Sequence, residues 1–271
     1  MKFHVIHPTG FLKNYIRHYC FMESDLHEGD VTERVIPAEN IQLMFHYRNP
    51  FVVCHTNNML RKQPRSIISG LCNSFSDVST NGNAGVVFVS FFPTGACQFF
   101  NFPLSEVENL SVDLCDLLKE ETTRIEEDLS NTYTLTGKVT VIEEFLARRF
   151  APIASYDQKI INKGIDLIKC CKGQISATSL AEDLSVTTKS LERKFSHYLG
   201  KTTKQLVKLI RFQQVLQDFS YHKHITLTEI AYRNGYYDQS HFIRDFKTHS
   251  GFTPKEFITR YPGFSLHAES C

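Results

Sequence analysis

No run of about 18 apolar residues occurs in this 271-residue chain, so no membrane-spanning helix is expected. The first residues, MKFHVIHPTG, hold one lysine and no apolar stretch behind it. That argues against a secretory signal and for a protein that stays in the cytosol. The eight cysteines are scattered: no C-x-x-C occurs, and no His/Cys group has zinc-ligand spacing. In a reducing cytosol they are expected to be buried small hydrophobes, a thiol or metal sensor being the alternative. G-x-S-x-G, P-loop, H-E-x-x-H and dinucleotide fingerprints are all missing, so no catalytic residue, metal or cofactor is expected. With 42% hydrophobic and 22% charged residues the chain is not of disordered type either.

What is present is an uneven distribution of charge. Residues 1–156 carry 13 Lys and Arg against 18 Asp and Glu, whereas residues 157–262 carry 17 against 10. An acidic first half joined to a basic second half suggests that the second half meets an anionic polymer. The length allows two domains, each with its own core. The division is expected at residues 1–150 and 158–262, with APIASYD (151–157) as linker and 263–271 as a tail.

The fold class expected is α+β. In the first half IQLMFHY (41–47), FVVCH (51–55) and VVFVSFF (86–92) are short, β-branched and aromatic, as buried strands are. HTNN and STNGNAG supply turns between them. From about residue 104 the pattern turns helical: Leu114, Leu117 and Leu118 share a face, as do Val139, Ile142 and Leu146. This predicts a small β-barrel or sandwich followed by helices, serving sensing or dimerisation. The Val139 stripe is a candidate dimer contact, or else it packs on its own barrel.

The second half is helical nearly throughout and contains a repeat. Ala231 falls on Ala181 at an offset of 50 residues; from the next helix the offset is 51, placing Arg244 on Arg193, Phe246 on Phe195, Gly251 on Gly200 and Thr253 on Thr202. One residue inserted in the second turn accounts for the change. Each copy reads as a short helix, a tight turn and a basic helix, the second helices spanning about 188–198 and 239–249. Segment 201–219 joins them as a helix of roughly 25 Å. Two helices so joined suit successive major grooves, about 34 Å apart, where sequence is read by side chains on an inserted helix.

At 100° per residue Leu191, Phe195 and Tyr198 form one face of the first reading helix, and Lys189, Glu192, Arg193 and Ser196 the other. In the second, Phe242 and Phe246 point inward while Ser240, Arg244 and Lys247 point outward, with His241 at their edge and Gln239 at the tip. An arginine fork matches the O6 and N7 acceptors of guanine, so Arg193 and Arg244 are candidate base or phosphate contacts; a structural ion pair is the alternative. Glu192 either accepts from a cytosine amine or is a solvated helix residue.

The strings SLAEDLSVTTKSLERKFSHYLGKTT and LTEIAYRNGYYDQSHFIRDFKTHSGFTPKEF resemble the two helix-turn-helix units of the AraC/XylS family of bacterial transcription regulators. The I-A, G-Y, F-x-R-x-F and G-x-T-P elements stand at that family's spacing over about residues 160–260. The resemblance implies that Lys189, Glu192 and Arg193 face bases from the first unit, and Gln239, Ser240, His241 and Arg244 from the second. Ser185 stands where glycine is common and Thr203 where proline is common, which makes the first unit the less regular. Residues 88–118, above all F-x-P-x-G-A, resemble an N-terminal domain of poorly understood role found on some such regulators.

The expected function is therefore a sequence-specific regulator bound to double-stranded DNA, with a small-molecule effector, a homodimer and RNA polymerase as further partners. Phe91, Phe92, Phe99 and Phe100, with His46 or Arg48, are candidates for an effector pocket, simple core packing being the alternative. Two rival readings are an enzyme-like first half with an accessory DNA-binding module, and a regulator that takes no ligand.

Overall fold

The computed structural model describes residues 1–25, 31–54, 60–80, 82–221 and 225–261. The expected turn at 55–58, part of the turn around residue 81, Cys271 and the tail 263–271 lie outside the described residues.

Among the described residues ten strands form two antiparallel sheets: β1 (Lys2–Ile6), β2 (Ile16–Glu23), β3 (Val31–Val35), β4 (Gln42–His46), β5 (Val52–Cys54), β6 (Leu60–Lys62), β7 (Ser66–Ser69), β8 (Ser76–Thr80), β9 (Gly85–Phe91) and β10 (Ser111–Asp113). The larger sheet has the order β1-β2-β9-β4-β7-β10 and the smaller one β3-β8-β5-β6. β1 and β10 end the larger sheet without meeting, so among the described residues no barrel closes; the architecture is two open sheets. The pleat sorts the side chains. Tyr19, Phe21, Leu43, Phe45, Val87 and Val89 turn to one face, where they form a core with Leu129, Ile142, Phe145 and Leu146 from the helices. Met22, Met44, Ile67 and Val86 turn to the other and cluster with Phe51 and Val78.

Three helices follow, α1 (Leu114–Leu118), α2 (Glu120–Ser130) and α3 (Leu135–Arg149). The Val139, Ile142 and Leu146 stripe of α3 is buried in its own domain's core, which removes it as a dimer contact. The segment expected as linker is tied down: Gln98 accepts from Ala151 N–H through its carbonyl at 2.7 Å and from Ile153 N–H through Oε1 at 3.1 Å. The next helix, α4 (Ser155–Cys170), begins inside it. Cys97 is buried as expected, but Cys115, Cys170 and Cys171 are exposed.

The remaining helices are α5 (Ala177–Asp183), α6 (Thr188–Leu199), α7 (Thr203–Tyr221), α8 (Leu227–Arg233), α9 (Gln239–Ser250) and α10 (Pro254–Arg260). They pack as two separate cores sharing α7. Leu206, Val207, Leu209 and Ile210 belong to the first, with Ile161, Ile168, Leu191 and Phe195. Phe212, Val215 and Leu216 belong to the second, with Ile230, Phe242, Phe246 and Phe257. Each half of α7 thus serves a different unit.

Candidate nucleic-acid interface

The two units repeat the same caps and the same turn bond. Each first helix is capped by a hydroxyl, Ser176 accepting from Ser179 N–H and Thr226 from Glu229 N–H. Ala181 and Ala231, both buried, sit where the second helix crosses and a larger side chain would hold it off. In each turn the chain folds back on the alanine carbonyl, from Val186 N–H at 3.0 Å and from Tyr236 N–H at 2.9 Å. The turn demands positive φ: Gly235 stands at 72°, and Ser185 takes 55° at the same place. A non-glycine residue there pays on the order of 1–2 kcal/mol. Thr187 then caps α6 through Ser190 N–H and Asp238 caps α9 through His241 N–H. The inserted residue is Tyr237, which is 87% exposed.

The reading faces are open to solvent. Lys189, Arg193, Gln239, Ser240, His241, Arg244 and Lys247 are all exposed with the N-terminal half in place. Neither Arg193 nor Arg244 forms an ion pair among the described residues; the carboxylate of Asp157 is taken by Lys194 and by the Tyr198 hydroxyl instead. Gln239 Oε1 accepts from the Thr228 hydroxyl at 3.0 Å, which orients its amide at the tip of α9.

Glu192 is placed differently. Its Oε2 accepts from Thr203 N–H at 3.0 Å, at the first residue of α7. At the equivalent points the second unit has Ile243 and Pro254. Proline has no N–H to satisfy; threonine does, and the glutamate satisfies it. The departure at Thr203 is therefore matched by a second departure eleven residues earlier. Exposed Tyr232 and Tyr237 flank the second turn and were not foreseen, since an isolated tyrosine in a sequence gives no sign of its exposure.

Of the residues expected to bind an effector, His46 and Arg48 do not meet the phenylalanines in one pocket. His46 pairs with Val86 across β4 and β9, whereas Phe91 lies in the same pleat as Val89, so the two point to opposite faces of the sheet. His46 is enclosed by Gln63 at 3.2 Å and the Phe51 ring at 4.8 Å, and burial lowers its pKa to about 4, leaving it neutral. Phe91 packs on Phe99 and Phe100 in the core. Arg48 pairs with Glu23 at 3.0 Å, and Phe92 lies under Arg17. A cleft of about 450 Å³ lies where the halves meet, bordered by two of the expected phenylalanines, Phe99 and Phe100, with Arg148, Arg149, His197 and Tyr198. Among the described residues no group of three His, Cys, Asp or Glu side chains is placed to hold a metal ion.

Residues 180–260 match the family described as a helix-turn-helix domain (HTH_18), of the AraC type, and residues 4–113 match a domain of unknown function (DUF6597). No curated protein matches the chain. Among solved structures it is similar to ToxT from Vibrio cholerae O395, with 12% identity, 91% of this chain and 97% of that one covered, and a TM-score of 0.46. It is also similar to the C-terminal domain of AraT, a response regulator from Geobacillus stearothermophilus, at 26% identity over 40% of this chain and 89% of that one, with a TM-score of 0.36. A DNA-binding transcriptional dual regulator from Escherichia coli K-12 matches at 22% identity over 42% and 98%, with a TM-score of 0.35.

Proposed function

We propose that this DNA-binding transcription regulator, whose AraC-type helix-turn-helix domain spans residues 180–260, places α6 and α9 in successive major grooves of one duplex. The observation that carries the proposal is the pair Arg193 and Arg244. They occupy the same place in two units with the same caps and turn bond, both exposed and, among the described residues, neither held by a carboxylate. An arginine retained for internal structure would have an internal partner; these two are available to guanine edges or phosphates. α7, with 19 residues, separates the units by about 28 Å along its axis.

Lys189 and Arg193 are the readers assigned to the first unit, with Lys247 adding phosphate contact beside Gln239, Ser240, His241 and Arg244 in the second. Glu192 belongs to the junction with α7 before it belongs to DNA. The proposal includes a small-molecule effector in the first half, and the cleft beside Phe99, Phe100 and His197 supports that part because its volume falls in the range of ligand pockets. A homodimer and RNA polymerase are the other partners it anticipates. Such a reader works in the cytoplasm, where a bacterial chromosome lies.

The test is Arg244→Ala in the full chain, measured against its selected site and against random duplex. The expected loss is about 1–3 kcal/mol on the selected site, with a smaller loss on random DNA. Equal loss on both makes Arg244 a phosphate contact and removes it from specificity.

A further inference from the structure

The two reading helices end alike, and the N-terminal half holds both ends. α6 closes on Gly200 at φ 72° and α9 on Gly251 at φ 76°, the same position in the repeat. A Cβ on Gly200 would stand 2.6 Å from the Leu104 carbonyl oxygen. The next residue, Lys201, runs with its side chain fully buried into the first half. There its Nζ donates to Asn73 Oδ1 at 2.8 Å, Glu108 Oε1 at 2.9 Å and Asn109 Oδ1 at 3.2 Å. Gln205 donates to the same Glu108 oxygen at 2.7 Å.

On the second unit a Cβ on Gly251 would meet Arg34 Nη1 and the Phe75 ring, each 2.5 Å away. Phe252, the counterpart of Lys201, lies against the Arg34 guanidinium at 4.3 Å, and Phe75 lies against it at 3.9 Å. Asp77 fixes that guanidinium edge-on with two bonds of 2.7 Å. Arg34 in turn holds the Asp77 carboxyl below the usual carboxylate range. Unlike chemistry, a buried ammonium in one case and a stacked guanidinium in the other, grips like turns.

Apart from those grips, among the described residues the units share α7, whose Arg211 donates to the Gly173 carbonyl and lies over the Tyr236 ring at 5.4 Å, and Gln174 Nε2 donates to the Arg233 carbonyl at 2.9 Å. The two cores seat on different halves of α7, so a small shift of either core on it turns one reading helix against the other. Reading two grooves is sensitive to that rotation, because each base pair adds 3.4 Å of rise and, at about 10.5 base pairs per turn, roughly 34° of twist. The grips sit at the C-terminal ends of α6 and α9 and leave the reading faces open.

We propose that the N-terminal half is a caliper: through Lys201 on one unit and Arg34 with Phe75 on the other, it sets the separation and twist of the two reading helices, and so the spacing of the DNA subsites the protein accepts. This rests on the two-groove reading above, and Lys201, Arg34 and Phe75 are positioning residues that touch no base.

The experiment uses the full chain and a site chosen by selection from random duplexes, then re-made with one, two or three base pairs added or removed between its two tracts. The wild type is expected to lose roughly a hundredfold or more when the spacing no longer allows both units to engage. Lys201→Met and Phe75→Ala are expected to cut that penalty to about tenfold or less, with binding to a duplex holding only the second tract unchanged. The exchanged pair Lys201→Glu with Glu108→Lys is expected to restore part of the spacing preference. If Lys201→Met does not fold, as read by thermal unfolding, Asn73→Ala with Glu108→Gln releases the same anchor from the other side. An unchanged spacing profile in the released variants overturns the caliper. So does a uniform gain or loss at every spacing, which would describe a latch. A wild type with no preferred sequence overturns the DNA reading itself, and the caliper with it.

Discussion

In the first helix-turn-helix unit the turn is made by Ser185 at φ 55° and the next helix begins at Thr203; in the second the same places hold Gly235 at φ 72° and Pro254. The backbones nevertheless make the same hydrogen bonds, alanine carbonyl to turn N–H in each. The first unit is therefore not looser than the second, as its residues suggest, but held by other means. Its serine accepts a conformation that glycine adopts freely. Its threonine N–H is satisfied by Glu192, which then has less to offer a base edge. The difference is one of free side chains: α9 presents Gln239, Ser240, His241, Arg244 and Lys247, with Tyr237 beside them, while α6 presents chiefly Lys189 and Arg193.

The largest effect that would break this comparison concerns Glu192. Glu192→Ala leaves the N–H of buried Thr203 without its acceptor, and unfolding by urea is expected to show a loss of about 1–3 kcal/mol. In a Thr203→Pro background, which copies the second unit, the same change should cost nearly nothing, because no N–H remains there. A double-mutant cycle reads the coupling directly. Additive losses would mean that the glutamate acts elsewhere and that the units differ for another reason. A smaller effect comes from the turns. Ser185→Gly is expected to stabilise the chain by about 1 kcal/mol through relief of the left-handed strain, and Gly235→Ser to destabilise it by at least as much. The second cost is raised by Gln174, whose Oε1 stands 2.7 Å from where a Cβ would be placed. If Ser185→Gly leaves the urea midpoint where it was, Ser185 carries no strain.

Much of the second half is readable in its sequence because helical periodicity and local caps are near-neighbour properties. Leu191, Phe195, Phe242 and Phe246 are buried as their spacing requires, and Asp238 caps as its position before α9 suggests. The strands are equally local, but their faces are not. Whether His46 and Phe91 share a face depends on the register between β4 and β9, which no single strand encodes. That is why a pocket assembled from His46, Arg48, Phe91 and Phe92 fails to form. Sheet closure is a non-local property of the same kind. Lys201 reads in sequence as one more solvated basic residue, and only the meeting of residues 73, 108, 109 and 201 shows it to be buried. Tyr237 is identifiable as the inserted residue only once the turn bonds fix the alignment of the two units.

The central claim, two unequal readers on one duplex, is tested most directly by selecting bound sequences from a random duplex library with the full chain. The account predicts two conserved tracts about one helical turn apart, roughly 10–10.5 base pairs centre to centre. The tract protected by α9 should carry the greater sequence information, and Arg244→Ala should erase part of that tract alone. A single conserved tract, or two tracts of equal information with α6 as the stronger contact, would contradict it.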